Sequence, residues 1–146
     1  MTETIVVGTD GSETAAIAVN EAVEVAKALG AEIRLVSAYE PLRAKIVGAP
    51  QGEAQVWAPL PDTLVNATLE QAAARVRRRG VKVETHAVEK DPADALLEVA
   101  AEVGASLIVV GSKGMHGAKR FALGSVPNKV SHNAHCNVLI VSTDRS

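Results

Sequence analysis

Short runs of β-branched residues alternate along this chain with longer amphipathic stretches, and that alternation commits it to βαβ units around a parallel sheet. Thr4-Ile-Val-Val-Gly8 is the first run, Glu32 to Tyr39 the second, Val81 to Val88 the third, Ser106 to Val110 the fourth and Asn137 to Ser142 the fifth. The first, fourth and fifth are nearly unbroken Val, Ile and Leu, which suits strands covered on both faces. Between them, Ser12 is placed to cap a helix that carries Ala15, Ala18, Ala22, Val25, Ala26 and Leu29 on one face and ends at Gly30. Asp62 opens a second helix that stops at Gly80. Asp91 caps a third, with Pro92 at its first position and Asp94 reaching back, and Gly124-Ser125 begins the fourth. Five strands and four helices on 146 residues give a single α/β domain spanning 1–146, doubly wound. The connection from Glu40 to Pro61, with prolines at 41, 50, 59 and 61, is long for such a fold.

In a doubly wound sheet the ligand lies at the carboxyl ends of the strands where the winding reverses. Two loops leave such ends: Gly8-Thr9-Asp10-Gly11-Ser12 and Gly111-Ser112-Lys113-Gly114. Glycine there lets backbone approach a phosphate, and the amides of Gly124, Ser125 and Val126 open a helix whose dipole favours an anion. The same glycines also serve plain strand-to-helix turns, and Asp10 is also what a turn or capping acid would be. Lys113 can neutralise a phosphate, while Lys119 and Arg120 suit a solvated basic turn equally well.

The spacing is more telling than any one glycine: Gly111, two residues, Gly114, nine residues, then Gly124-Ser125. It resembles the nucleotide-binding signature of the universal stress protein family, and the likeness runs from the Val6-Val7-Gly8-Thr9-Asp10 start to Asn137-Val138-Leu139-Ile140-Val141. The resemblance implies a five-stranded parallel sheet in the order 3-2-1-4-5, of the adenine-nucleotide alpha-hydrolase-like type, that binds an adenine nucleotide in a regulatory, sensing or buffering role. It implies that Asp10, beside Gly8 and Thr9, contacts the ribose, that the backbone of Ala38 reads the adenine edge, and that Gly111, Ser112, Lys113, Gly114, Gly124, Ser125 and Val126 hold phosphate and ribose. It also implies a homodimer through Val138 to Val141, which would otherwise be an open apolar edge. One position departs from the family: where Ser or Thr usually follows Gly-Ser-Val, this chain has Pro127, with neither amide hydrogen nor hydroxyl. The loss of that donor favours cyclic AMP or AMP over ATP, and a divalent cation is expected only with ATP.

Other functions fit less well. No nucleophile with an oriented base stands out, and neither a Gly-x-Ser-x-Gly elbow nor a P-loop is present, so the alternative to a binding protein is a weak ATPase of the same fold. Three aromatic residues leave little to sandwich a flavin. The net charge of −2 disfavours nucleic acid, no apolar run approaches a bilayer span, and the lone Cys136 excludes an intrachain disulfide; a cytoplasmic protein is expected. His132, His135 and Cys136 are metal-ligand types at a helix end but lack a suitably spaced fourth ligand, so no metal is expected. Trp57, in the long connection, suits sealing of core surface better than a cover over the nucleotide. Arg75 to Arg79 fit a helix end favoured by its dipole.

Overall fold

The computed structural model describes residues 2–40, 60–112 and 124–143. Among them lie β1 (Thr4–Gly8), α1 (Glu13–Leu29), β2 (Glu32–Glu40), β3 (Leu60–Pro61), α2 (Asp62–Arg78), β4 (Val83–Val88), α3 (Pro92–Val103), β5 (Leu107–Gly111), α4 (Ser125–Asn133) and β6 (Asn137–Val141). All pairings are parallel, and the five long strands run β4-β2-β1-β5-β6. Counting long strands alone, that is the expected 3-2-1-4-5 order with four helices. The unexpected element is β3, two residues that continue the β4 edge of β2 by pairing with Tyr39 and Glu40.

Alternation within each buried strand sorts the core into two layers. Ile5, Val7, Ile33, Leu35 and Val109 face α1 and α2, whereas Val6, Val36, Ala38, Ile108 and Val110 face α3 and α4. Ile5, Val6 and Val7 are wholly buried, each stabilising the fold by about 1.5–3 kcal/mol relative to an exposed position. Alanine dominates the inner side of α1, where Ala18, Ala22 and Ala26 bring the helix close to the sheet.

The caps follow the sequence with two adjustments. Ser12 Oγ accepts the Ala15 amide hydrogen at 3.1 Å, and Gly30 and Gly104 end α1 and α3 in the left-handed conformation. The buried stripe of α1 also takes in Val19 and Val23, which face the cleft toward α2, and Val25 packs against the same core, whereas Leu29 is 54% exposed. Asp91 has the extended backbone of an N-cap but makes no side-chain cap hydrogen bond, its carboxylate being turned toward Lys129 of α4.

Candidate functional site

The winding reverses between β1 and β5, which pair side by side, so their carboxyl ends open a crevice between the two helix layers. Each strand ends in glycine. A Cβ on Gly8 would stand 3.3 Å from Leu96 Cδ2, and one on Gly111 would stand 2.8 Å from Thr143 Cγ2. A side chain at Gly8 would need Leu96 to give slightly, and one at Gly111 would force Thr143 or the strand end to shift. Beneath the two ends lies a hollow of about 30 Å³ walled by Gly8, Ala15, Leu96, Gly111 and Val126.

The loop after β1 is built by its own short polar side chains. Thr9 is buried; its amide donates to Val36 O at 2.9 Å, its Oγ1 accepts from the Gly11 amide at 3.0 Å, and its carbonyl accepts from the Ser37 hydroxyl. Asp10 Oδ1 accepts from the Ser12 amide at 2.9 Å, which makes Asp10 a turn-forming acid, while Oδ2 has no hydrogen-bond donor among the described residues. Gly11 has φ of +85°, open to glycine and strained for most other residues. The last partner of β1 is Gly8 with Val36, so β2 outruns it by Ser37 to Glu40. Ala38 lies in that overhang, its side chain buried in the α3 layer and its backbone beyond the reach of β1.

Ser112 clamps the other side. Its amide donates to Val141 O at 2.8 Å, its carbonyl accepts from the Gly124 amide at 2.9 Å, and its Oγ accepts from the Thr143 amide at 3.3 Å. One residue thus holds the ends of β5 and β6 and the start of α4. Of the first amides of α4, Gly124 donates to Ser112, Pro127 has no hydrogen, and Asn128 closes the first helical bond onto Gly124 O at 3.2 Å. Ser125 and Val126 keep amides with no backbone acceptor among the described residues, a pair of donors at the positive end of the helix. Pro127 itself is buried in the first turn.

Charge fixes the pitch of α4. Lys129 Nζ lies 2.9 Å from Asp94 Oδ1 and 3.8 Å from Asp91 Oδ1, joining α4 to the start of α3. Burial and the neighbouring Asp94 carboxyl push Asp91 above the usual carboxylate range, whereas the Asp91 and Lys129 side chains hold Asp94 below it.

Of the expected site residues, Gly8, Gly111 and Val126 line the hollow between β1 and β5, Thr9 and Asp10 follow in the loop leaving β1, Ser112 is bonded to Gly124 just ahead of Ser125 in α4, and Ala38 lies on the overhang of β2. Lys113 and Gly114, together with Trp57, His116, Lys119 and Arg120, lie outside the described residues. His132 and Cys136 sit away from the crevice: His132 Nδ1 is 2.7 Å from Asn128 O, and burial pushes the Cys136 thiol up. Sequence reasoning missed Ser37 and Thr143, which brace the two loops. Each is a small hydroxyl residue near a strand end, a pattern too common to single out from sequence.

The model of the universal stress protein family matches residues 1–142. Universal stress protein YxiE of Bacillus subtilis is 36% identical over 146 aligned residues, covering 94% of this chain and 97% of its own. Among solved structures, a universal stress protein in complex with cAMP superimposes with a TM-score of 0.74 at 34% identity, covering 97% of this chain and 98% of the other. A universal stress protein from Archaeoglobus fulgidus in complex with dAMP gives a TM-score of 0.68 at 25% identity, covering 96% and 97%. With the family model spanning nearly its whole length and such relatives matching end to end, the chain belongs to the universal stress protein family.

Proposed function

We propose that this protein binds an adenine nucleotide with a compact phosphate, cyclic AMP or AMP, in the crevice between β1 and β5, in a sensing or buffering role. The observation that carries this reading is the accounting of amides at the start of α4: Ser125 and Val126, two donors with no backbone acceptor among the described residues, followed by a proline. Two adjacent N–H groups at a helix start suit one phosphoryl group, and a longer phosphate chain would need the next donor, which Pro127 lacks. Asp10 Oδ2, without a donor among the described residues, can accept from ribose hydroxyls in this reading, and the backbone of Ala38 in the β2 overhang can pair with an adenine edge. Solved relatives in complex with cAMP and dAMP support the same ligand class. Lys113 and Gly114, outside the described residues, are assigned to this proposed site on their spacing in the sequence alone.

The exposed edge of the sheet supports a homodimer. Among the described residues β6 pairs on one side only, with β5, and Ile140 on it is 36% exposed, so a second copy would close an open apolar edge.

Calorimetric titration of nucleotide-stripped protein with cyclic AMP, AMP and ATP tests the reading. Tightest binding is expected for cyclic AMP or AMP. ATP binding about tenfold tighter than both, a difference of ~1.4 kcal/mol, would overturn the compact-phosphate assignment. A hydrolysis assay on the same samples tests the weak ATPase reading.

A further inference from the structure

A second concavity lies on the other side of the Asp10 loop, between α1 and α2. It encloses about 290 Å³, near the lower end of the range for small-molecule sites. Ala16, Val19, Ala72 and Val76 form its floor, and Asn20 and Gln71 face each other across its rim. At its upper end it meets Gly11, where Thr68 of α2 packs against the loop. Its lower end is cationic: Arg75, Arg78 and Arg79 all line it, the first two one turn apart on α2 and Arg79 in the turn that follows.

The helix dipole accounts for basic residues in the last turn of α2, yet it does not account for three of them sharing the cleft edge. Arg79 pairs with Glu24 across the cleft, and Arg77, which is not part of the lining, pairs with Glu70. Among the described residues, Arg75 and Arg78 pair with no carboxylate. Clustered like charges repel, and an anion placed between them relieves that repulsion. Guanidinium forks match a carboxylate in two-point contact, and the apolar floor leads away from them.

We propose that the α1–α2 cleft is a second ligand site, for a small amphiphilic carboxylate whose chain lies on Ala16, Val19 and Ala72 and whose head group pairs with Arg75 and Arg78. This site is separate from the β1–β5 crevice and does not depend on the nucleotide reading.

The test is titration of the full-length isotope-labelled protein with octanoate, followed by amide chemical shifts, on the wild type, the Arg75→Gln/Arg78→Gln double variant and Ala16→Leu. The arginines are exposed, so the double variant keeps the fold. The expected result is saturable one-to-one binding with shifts confined to residues 9–23 and 68–79, weakened about tenfold in the double variant and lost in Ala16→Leu, whose larger side chain fills the cleft. Octanol, with the same chain and no charge, is expected to bind about tenfold more weakly than octanoate. The proposal is overturned by the absence of saturation, by equal affinity in the double variant, by equal affinity for octanol, or by shifts centred elsewhere, such as the groove between α3 and α4.

Discussion

Gly111 and Thr143 meet so closely that a Cβ on the glycine would stand 2.8 Å from the threonine methyl, and this contact sets the end of β5 against the chain leaving β6. Thr143 is itself buried and tied to Ser112, so it has little room to yield. Gly111→Ala is expected to destabilise the protein by about 1–3 kcal/mol, the usual cost of forced overpacking. Thr143→Ser removes the clashing methyl and keeps the hydroxyl. In urea denaturation the pair Gly111→Ala/Thr143→Ser should recover most of the loss, a coupling that a double-mutant cycle isolates. Additive losses would mean that the strain at Gly111 comes from elsewhere.

Asp10 serves two roles that substitution separates. Its Oδ1 accepts from the Ser12 amide, and an asparagine side chain forms the same turn. Asp10→Asn should therefore change stability by less than about 0.5 kcal/mol, the range of ordinary surface substitutions, while weakening AMP binding about tenfold or more through loss of a charged acceptor. Asp10→Ala should lose both, with about 1 kcal/mol of stability gone with the turn hydrogen bond. Unchanged AMP affinity in Asp10→Asn would leave the residue a turn former alone.

The pH response of the fold centres on His86. Its Nε2 lies 3.1 Å from Arg34 Nη1, so the neutral ring accepts from the guanidinium. Burial, then the Arg34 charge, push His86 below the ordinary 6.5, with Glu102 and Glu84 partly opposing. A lowered basic pKa means that the unfolded chain takes up the proton first as pH falls. Stability from this residue is fully present above about pH 6.5 and is lost as pH drops through the lower folded-state value. Denaturation midpoints measured from about pH 7.5 to about pH 5 should fall more steeply for the wild type than for His86→Gln. Parallel curves would show that other groups carry the acid response.

The open edge at β6 gives the fourth prediction. Ile140→Lys places a charge where a second copy would pair, a substitution that natural edge strands use against association. Sedimentation should show a dimer for the wild type and a monomer for the variant, with little change in monomer fold by circular dichroism. A wild-type mass that stays monomeric at all concentrations would remove the dimer from the reading.

Sequence patterns exposed the strands and the two glycine loops because both depend on local signals, whereas the strand order came from the family resemblance. Unbroken apolar runs identify Ile5 to Val7 and Ile108 to Val110 as interior strands, and a glycine closing each run shows where backbone must come close. Contacts between distant segments left no such mark. The wedge of Thr143 beneath Gly111 depends on how β6 leaves the sheet, and the burial of Val19 and Val23 while Leu29 stays exposed depends on which side α2 occupies. Asp91 illustrates the point: local sequence makes it a cap, its backbone has the cap conformation, yet its side chain makes no cap hydrogen bond and has Asp94 and, from another helix, Lys129 as neighbours. Asp10 shows the opposite case, in which the turn role and the proposed binding role coexist because a carboxylate has two oxygens.

Pro127 is the residue on which the choice of nucleotide turns. It occupies the first turn of α4 directly after the two free amides, where a proline costs the helix little because that amide has no helical acceptor. Its effect is thus on the ligand rather than on the fold. Pro127→Thr supplies an amide hydrogen and a hydroxyl at the point where a second or third phosphate would pass, and each hydrogen bond to a charged oxygen contributes about 1.5–3 kcal/mol. The ratio of ATP to cyclic AMP affinity should therefore rise about tenfold or more in the variant, with cyclic AMP itself nearly unaffected, since its single phosphate is served by Ser125 and Val126. An unchanged ratio in paired titrations would show that nucleotide choice is set outside the first turn of α4. A loss of cyclic AMP binding together with an intact fold would show instead that the phosphate rests against the proline ring.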